Sequence, residues 1–151
     1  MSQSLQTFID HLSTAFEAGD PGVGAKTLES ANVHRLQELY RAFARGDFDA
    51  IVATTADDIE LEIVGPPAEL GFVCQAKGRT DVLAALQQNF SQVEDQQPET
   101  LSLVAQGDSV VVIARETGKV RATGSSYELH WVQLFQFRDG KVAVMREFTG
   151  A

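Results

Sequence analysis

Residues 127–148 read YELHWVQLFQFRDGKVAVMREF. Two alternating segments flank Asp139-Gly140, a tight-turn dipeptide whose glycine tolerates positive φ, so the stretch predicts a β-hairpin. Tyr127, Leu129, Trp131, Gln133, Phe135 and Phe137 share one face of the first strand. Ala143, Met145, Glu147 and Thr149 share one face of the second. Val132, Leu134, Val142 and Val144 fall on the opposite face, because successive side chains of a strand alternate. Gln133 and Glu147 interrupt the first, otherwise apolar face. A polar group buried without a partner costs about 1–3 kcal/mol or more. The pattern therefore points to a lined cavity rather than a plain core.

Upstream of the hairpin the periodicity is mixed. Leu5, Phe8, Ile9, Leu12 and Phe16 recur at helical spacing until Gly19 and Asp20-Pro21, the usual order of a helix stop. Residues 22–27 read as a linker. A second helix is expected to start near Ser30 or Asn32, with Leu36, Leu39, Tyr40 and Phe43 on its stripe and Gly46 at its end. Asp47 suits the cap of a short third helix. Ile59, Leu61 and Ile63 alternate with glutamates, as in a half-buried strand. Asp57-Asp58 is expected to cap and turn between that helix and this strand. A short strand is expected around Phe72–Gln75, then a helix capped by Thr80 with Val82, Leu86, Phe90 and Val93 on one side. From Pro98 the chain is β: 100–105, 109–117 with a turn at Gly107-Asp108, then the hairpin. Helices first and an antiparallel meander last predict an α+β fold, helices on one side of a curved sheet. The expected division is a helical extension over 1–31 and one domain over 32–151.

Composition narrows the function classes. The 151 residues are 44% hydrophobic and carry a formal charge of −9. Such acidity argues against nucleic acid and anionic membrane surfaces as partners, which clustered Lys and Arg recognise. A single cysteine, Cys74, leaves no intrachain disulfide and suits a cytoplasmic location; it is expected to be a small buried apolar residue. The first residues, MSQSLQTFIDHL, read as neither a signal peptide nor a membrane span. Three histidines without paired spacing give no metal site, and Lys77-Gly78-Arg79 is too short for a phosphate loop.

A family resemblance rests on particular stretches. These are Arg45-Gly46-Asp47-Phe48 between two helices, Ala56-Asp57-Asp58-Ile59-Glu60 entering a strand, and Lys77-Gly78-Arg79 before a helix. Arg138-Asp139-Gly140-Lys141 and Met145-Arg146-Glu147-Phe148 complete the set. From Asn32 to Phe148 the chain resembles the SnoaL-like, ketosteroid isomerase-like branch of the nuclear transport factor 2-like superfamily. Limonene epoxide hydrolase is also similar, its extra helix matching the N-terminal helix in position. The resemblance implies a cone-shaped barrel around an apolar pocket. The tyrosine, late aspartate and base of ketosteroid isomerases fall on Leu39, Gln133 and Ile63, so the base of that isomerisation is absent. The two aspartates of the epoxide hydrolases fall on Glu116 and Glu147. Their bridging arginine falls on Ala114, with Arg115 beside it, and their tyrosine and asparagine fall on Leu61 and Ile63. The acid near the last strand that serves polyketide cyclases as base corresponds to Glu147. The aspartate that ends many SnoaL-like sequences is Gly150 here.

Glu147, then Glu116, are the candidates for acid–base chemistry, since burial raises a carboxyl toward neutral pH. Trp131, Gln133, Tyr127 and Leu129 are expected to line the substrate site. Leu61, Ile63, Tyr40 and Met145 are expected to complete it. Arg115 and Arg146, adjacent to the acids, should point to the outer face. The leading expectation is a cofactor-free homodimer that binds a small apolar molecule of ketone, polyketide, terpenoid or steroid type and acts on it by isomerase, cyclase or hydrolase chemistry. Two alternatives stand beside it: a binding module without catalysis, and a pocket filled by side chains in a dimerisation module.

Overall fold

The computed structural model describes residues 3–19, 28–66 and 70–150; the expected linker at 22–27 lies outside them. Among these residues four helices precede or interrupt six strands. They are α1 (Gln3–Gly19), α2 (Leu28–Arg45), α3 (Phe48–Thr54), β1 (Thr55–Val64), β2 (Gln75–Lys77), α4 (Arg79–Ser91), β3 (Val93–Gln106), β4 (Ser109–Val120), β5 (Ser126–Arg138) and β6 (Lys141–Gly150). The sheet order is β2-β1-β6-β5-β4-β3. All neighbours are antiparallel except β1 and β6, which run parallel. The sheet is curved but does not close into the expected barrel, so β2 and β3 are its edges. Pro98 sits on the β3 edge, where a missing ladder N–H is tolerated.

The hairpin forms as its sequence predicts: Asp139 and Gly140 both have positive φ, 52° and 75°, the backbone of a type I′ turn. One assumption about its faces fails. Phe137 pairs with Val142 and Phe135 with Met145, with a bulge between. The extra residue turns Val142 inward, fully buried, instead of outward with Val144. Bulges of this kind leave no mark in an alternation pattern.

Helix boundaries follow local chemistry, with two corrections. Asp47 accepts from the Ala50 N–H at 3.1 Å and caps α3. Helix α2 begins at Leu28, before either proposed cap, and α4 is capped at Gly78 with no side-chain bond, so Thr80 does not cap it. Asp57 and Asp58 lie within β1, not in a turn. They are exposed and ion-paired, Asp57 to Arg79 at 2.5 Å and Asp58 to Arg138. The short second strand lies at 75–77, slightly later than expected.

Helix α1 packs into the same core as the sheet. Phe8, Ile9 and Leu12 are buried with Leu36, Leu39, Trp131 and Phe135. Burying one such side chain stabilises by about 1.5–3 kcal/mol. Gln37, itself buried, ties α1 to α2: its Nε2 donates to the Ile9 carbonyl at 2.8 Å and its Oε1 accepts from Ser13 at 2.7 Å.

Candidate functional site

One polar chain crosses the apolar inner side of the sheet. The Tyr40 hydroxyl donates to Gln133 Oε1. Gln133 Nε2 donates to Glu147 Oε1 at 2.7 Å, and Thr149 Oγ1 donates to Glu147 Oε2 at 3.0 Å. Register produces this arrangement. Gln133 faces Glu147 across the hairpin, Trp131 faces Thr149, and Ile63 lies opposite Glu147 on β1. Aromatic rings fix the helix side. Phe8 meets Tyr40 and Trp131 edge-on at 5.6 and 5.8 Å, and Tyr40 meets Phe135 at 5.9 Å. Edge-to-face contacts of this kind define ring orientation.

Tyr40, Gln133, Glu147 and Thr149 retain partial exposure, whereas Leu61, Ile63, Trp131 and Met145 beside them are buried. Burial pushes the Glu147 carboxyl above its ordinary range. The bonds from Gln133 and Thr149 oppose that rise, and the charge of Glu116 adds to it. Burial, and then the charges of Glu147 and Glu116, push the Tyr40 hydroxyl well up, so it remains a donor. The set is thus one carboxyl, one amide and one phenol in series.

Glu116 does not join Glu147 as a bridged acid pair. Its register partner on β5 is Leu129, four residues from Gln133, and the residue facing Gln133 on β4 is Val112. Glu116 Oε2 accepts instead from Tyr127 at 2.6 Å and Gln96 at 3.2 Å. Leu129 is buried there with Leu70, Val93 and Val120. Arg115 and Arg146 are on the outer face, paired with Glu99 at 2.7 Å and Glu62 at 3.7 Å. Neither bridges the acids. Cys74 is partly exposed rather than buried, its thiol 3.4 Å from the Phe72 carbonyl.

The residue from α2 that meets Gln133 is Tyr40, not Leu39, the position the resemblance selected. Both side chains face inward, and one step along a helix separates them. Phe8 and Gln96 were not foreseen. Phe8 belongs to a helix outside the matched stretch, and Gln96 is aimed by a β3 irregularity where Asp95 takes φ 53°. Among the described residues no cluster of His, Cys, Asp and Glu is arranged to hold a metal ion, and no helix is long and apolar enough to cross a membrane. A groove over β2, β1 and β6 is lined by Glu60, Glu62, Lys77, Val144 and Arg146, and also touches Leu61 and Met145.

An open, curved α+β sheet with helices over a polar-centred inner face defines a nuclear transport factor 2-like fold. Residues 36–145 match the SnoaL-like domain, and the chain belongs to that family. Among solved structures it is similar to an NTF2-like protein from Burkholderia xenovorans LB400, at 29% identity over 83% of this chain and 93% of that one, with TM-score 0.68. A protein from Jannaschia sp. CCS1 described as a SnoaL-like polyketide cyclase is 22% identical over 83% and 89%, with TM-score 0.68. An LEH-like epoxide hydrolase of M. tuberculosis is 17% identical over 82% and 86%, with TM-score 0.60. The last two show likeness of fold alone. No curated protein matches the chain.

Proposed function

We propose that the chain binds a small, mostly apolar molecule against the inner face of its sheet, and that Glu147 exchanges a proton with it. The observation that carries this reading is the Tyr40–Gln133–Glu147–Thr149 chain, partly exposed amid buried apolar residues. An acid whose charged form is disfavoured by desolvation is suited to transfer protons nearer neutral pH. Tyr40 and Gln133 supply polar atoms beside it that can orient a ligand oxygen. Ketone, polyketide, terpenoid and steroid-like molecules meet this requirement, and the reaction is of isomerase, cyclase or hydrolase type without a cofactor. Members of this fold described as a polyketide cyclase and an epoxide hydrolase are in keeping with it.

A non-catalytic binding role is the second reading, favoured by one observation: both Glu147 oxygens already accept a hydrogen bond from protein. In either case we propose a cytoplasmic homodimer joined through the outer sheet face. Val111, Ile113, Val132 and Leu134 are partly exposed there, and Phe148 is 47% exposed. Mass spectrometry of natively purified protein tests the binding reading by seeking a co-purified small molecule. Turnover of that molecule by the wild type but not by Glu147→Gln separates the two readings; retained turnover would remove Glu147 from the chemistry.

A further inference from the structure

The Glu147 chain leaves a second polar cluster of the same interior unused. Glu116 lies on the inward parity of β4, with Val110, Val112 and Ala114, all three buried. Its charge is felt at both Tyr40 and Glu147, and its partner Leu129 shares the face of β5 that carries Gln133. Its two donors among the described residues, Tyr127 and Gln96, converge on Oε2. Among the described residues none reaches Oε1. A carboxylate oxygen accepts up to two hydrogen bonds, and one that is partly buried gains from finding a donor. Oε1 therefore offers an acceptor that none of the described residues fills.

The cluster is also held in place. The Tyr127 ring lies over Gly118: a Cβ at that glycine would stand 2.6 Å from the Tyr127 hydroxyl oxygen and 2.7 Å from Cζ. The missing side chain allows the phenol to lie across the strand and reach Glu116. The backbone levels of the two clusters, Gln133 and Leu129, are four residues apart on β5, about 13 Å at the usual strand rise. Trp131 occupies the level between, opposite Ala114.

We propose that Glu116 is a second ligand anchor, and that the ligand is a two-ended molecule. One end places an oxygen at the Tyr40–Gln133–Glu147 chain, the apolar body passes along Trp131, and a hydroxyl at the far end donates to Glu116 Oε1. The far group is a neutral hydroxyl rather than an ammonium. Val93, Val120 and Leu129 make that end apolar, and a neutral donor loses less hydration on entering such a site. The proposal rests on the reading that the inner face binds an apolar molecule.

Calorimetric titration with para-acetylbiphenyl, and with its derivatives bearing a hydroxyl or a methoxy group at the far para position, tests it. The hydroxyl derivative should bind about tenfold more tightly than the other two, the usual return on a hydrogen bond to a charged acceptor. The advantage should vanish in Glu116→Leu, with the melting temperature reporting on the fold. It should shrink in Gly118→Ala, which keeps Glu116 and displaces Tyr127. If Glu116→Leu does not fold, the wild-type series and Gly118→Ala decide. Equal binding of the hydroxyl and methoxy derivatives, or an advantage that survives loss of Glu116, overturns the second anchor and leaves binding on the inner face standing. Failure of all three probes to bind overturns both.

Discussion

Glu147 has its carboxyl raised by burial, and that has a consequence for stability. When the folded value exceeds the unfolded one, the native state binds more protons between the two, so the contribution of the group to stability falls as pH rises through that interval. Glu147→Gln keeps the shape without the titration, one acceptor oxygen becoming an amide donor that the Thr149 hydroxyl can accept. Melting temperatures of the two proteins should diverge as pH rises from about 4.5, the ordinary value, with the variant gaining on the wild type. A constant difference across pH would show that Glu147 titrates normally. Part of this site was legible in the sequence: Gln133 and Glu147 stood out as polar interruptions of an apolar alternation. Tyr40 was expected to line the site, but its hydroxyl bond to Gln133 was not legible. Leu39 and Tyr40 fall on one stripe, and helical spacing alone cannot say which of two adjacent inward residues reaches a given strand position.

Helix α1 is integral to the core, through Leu12 and Ile9, both fully buried, and through Phe8 against Tyr40 and Trp131. Leu12→Ala should destabilise the fold by about 2–5 kcal/mol, measured by denaturant unfolding at unchanged m-value. A loss under 0.5 kcal/mol, the surface-substitution range, would mean that the helix does not bury that residue. Because Phe8 holds the ring of Tyr40, the helix also supports the site. The elements that the sequence marked clearly were those with turn chemistry at their ends, such as Asp139-Gly140, Gly107-Asp108 and the Asp47 cap. Those it marked poorly lacked it. Strand β2 has three residues and no alternation to read, and α4 starts at Arg79 after a Gly78 N-cap that has no capping side chain. The inward turn of Val142 depended on a bulge that only the paired strands reveal.

At the scale of the molecule the sheet is apolar on both faces, and among the described residues helices cover one of them. Val104, Val64 and Phe148 are 55%, 44% and 47% exposed, and the Arg146–Glu62 pair nearby brings both charge signs to that surface. A face with an apolar centre and both signs of charge can match a rotated copy of itself. Light scattering should give twice the 16.4 kDa chain mass at micromolar concentration, and Val132→Lys should shift the protein to monomer. A wild-type monomer would leave this face without the proposed partner. The fold was legible at this scale because its strands alternate and its turns are explicit. The reaction was not, since a carboxylate's role is set by register, neighbours and desolvation, none of which a strand pattern carries. The proposal that Glu147 works as a proton-exchanging acid is tested most directly by a carbon-detected NMR titration of the side-chain carboxylates, with Glu147 assigned as the resonance missing from Glu147→Gln. A midpoint clearly above the ordinary glutamate value is the predicted result, and a midpoint at or below that value would contradict it.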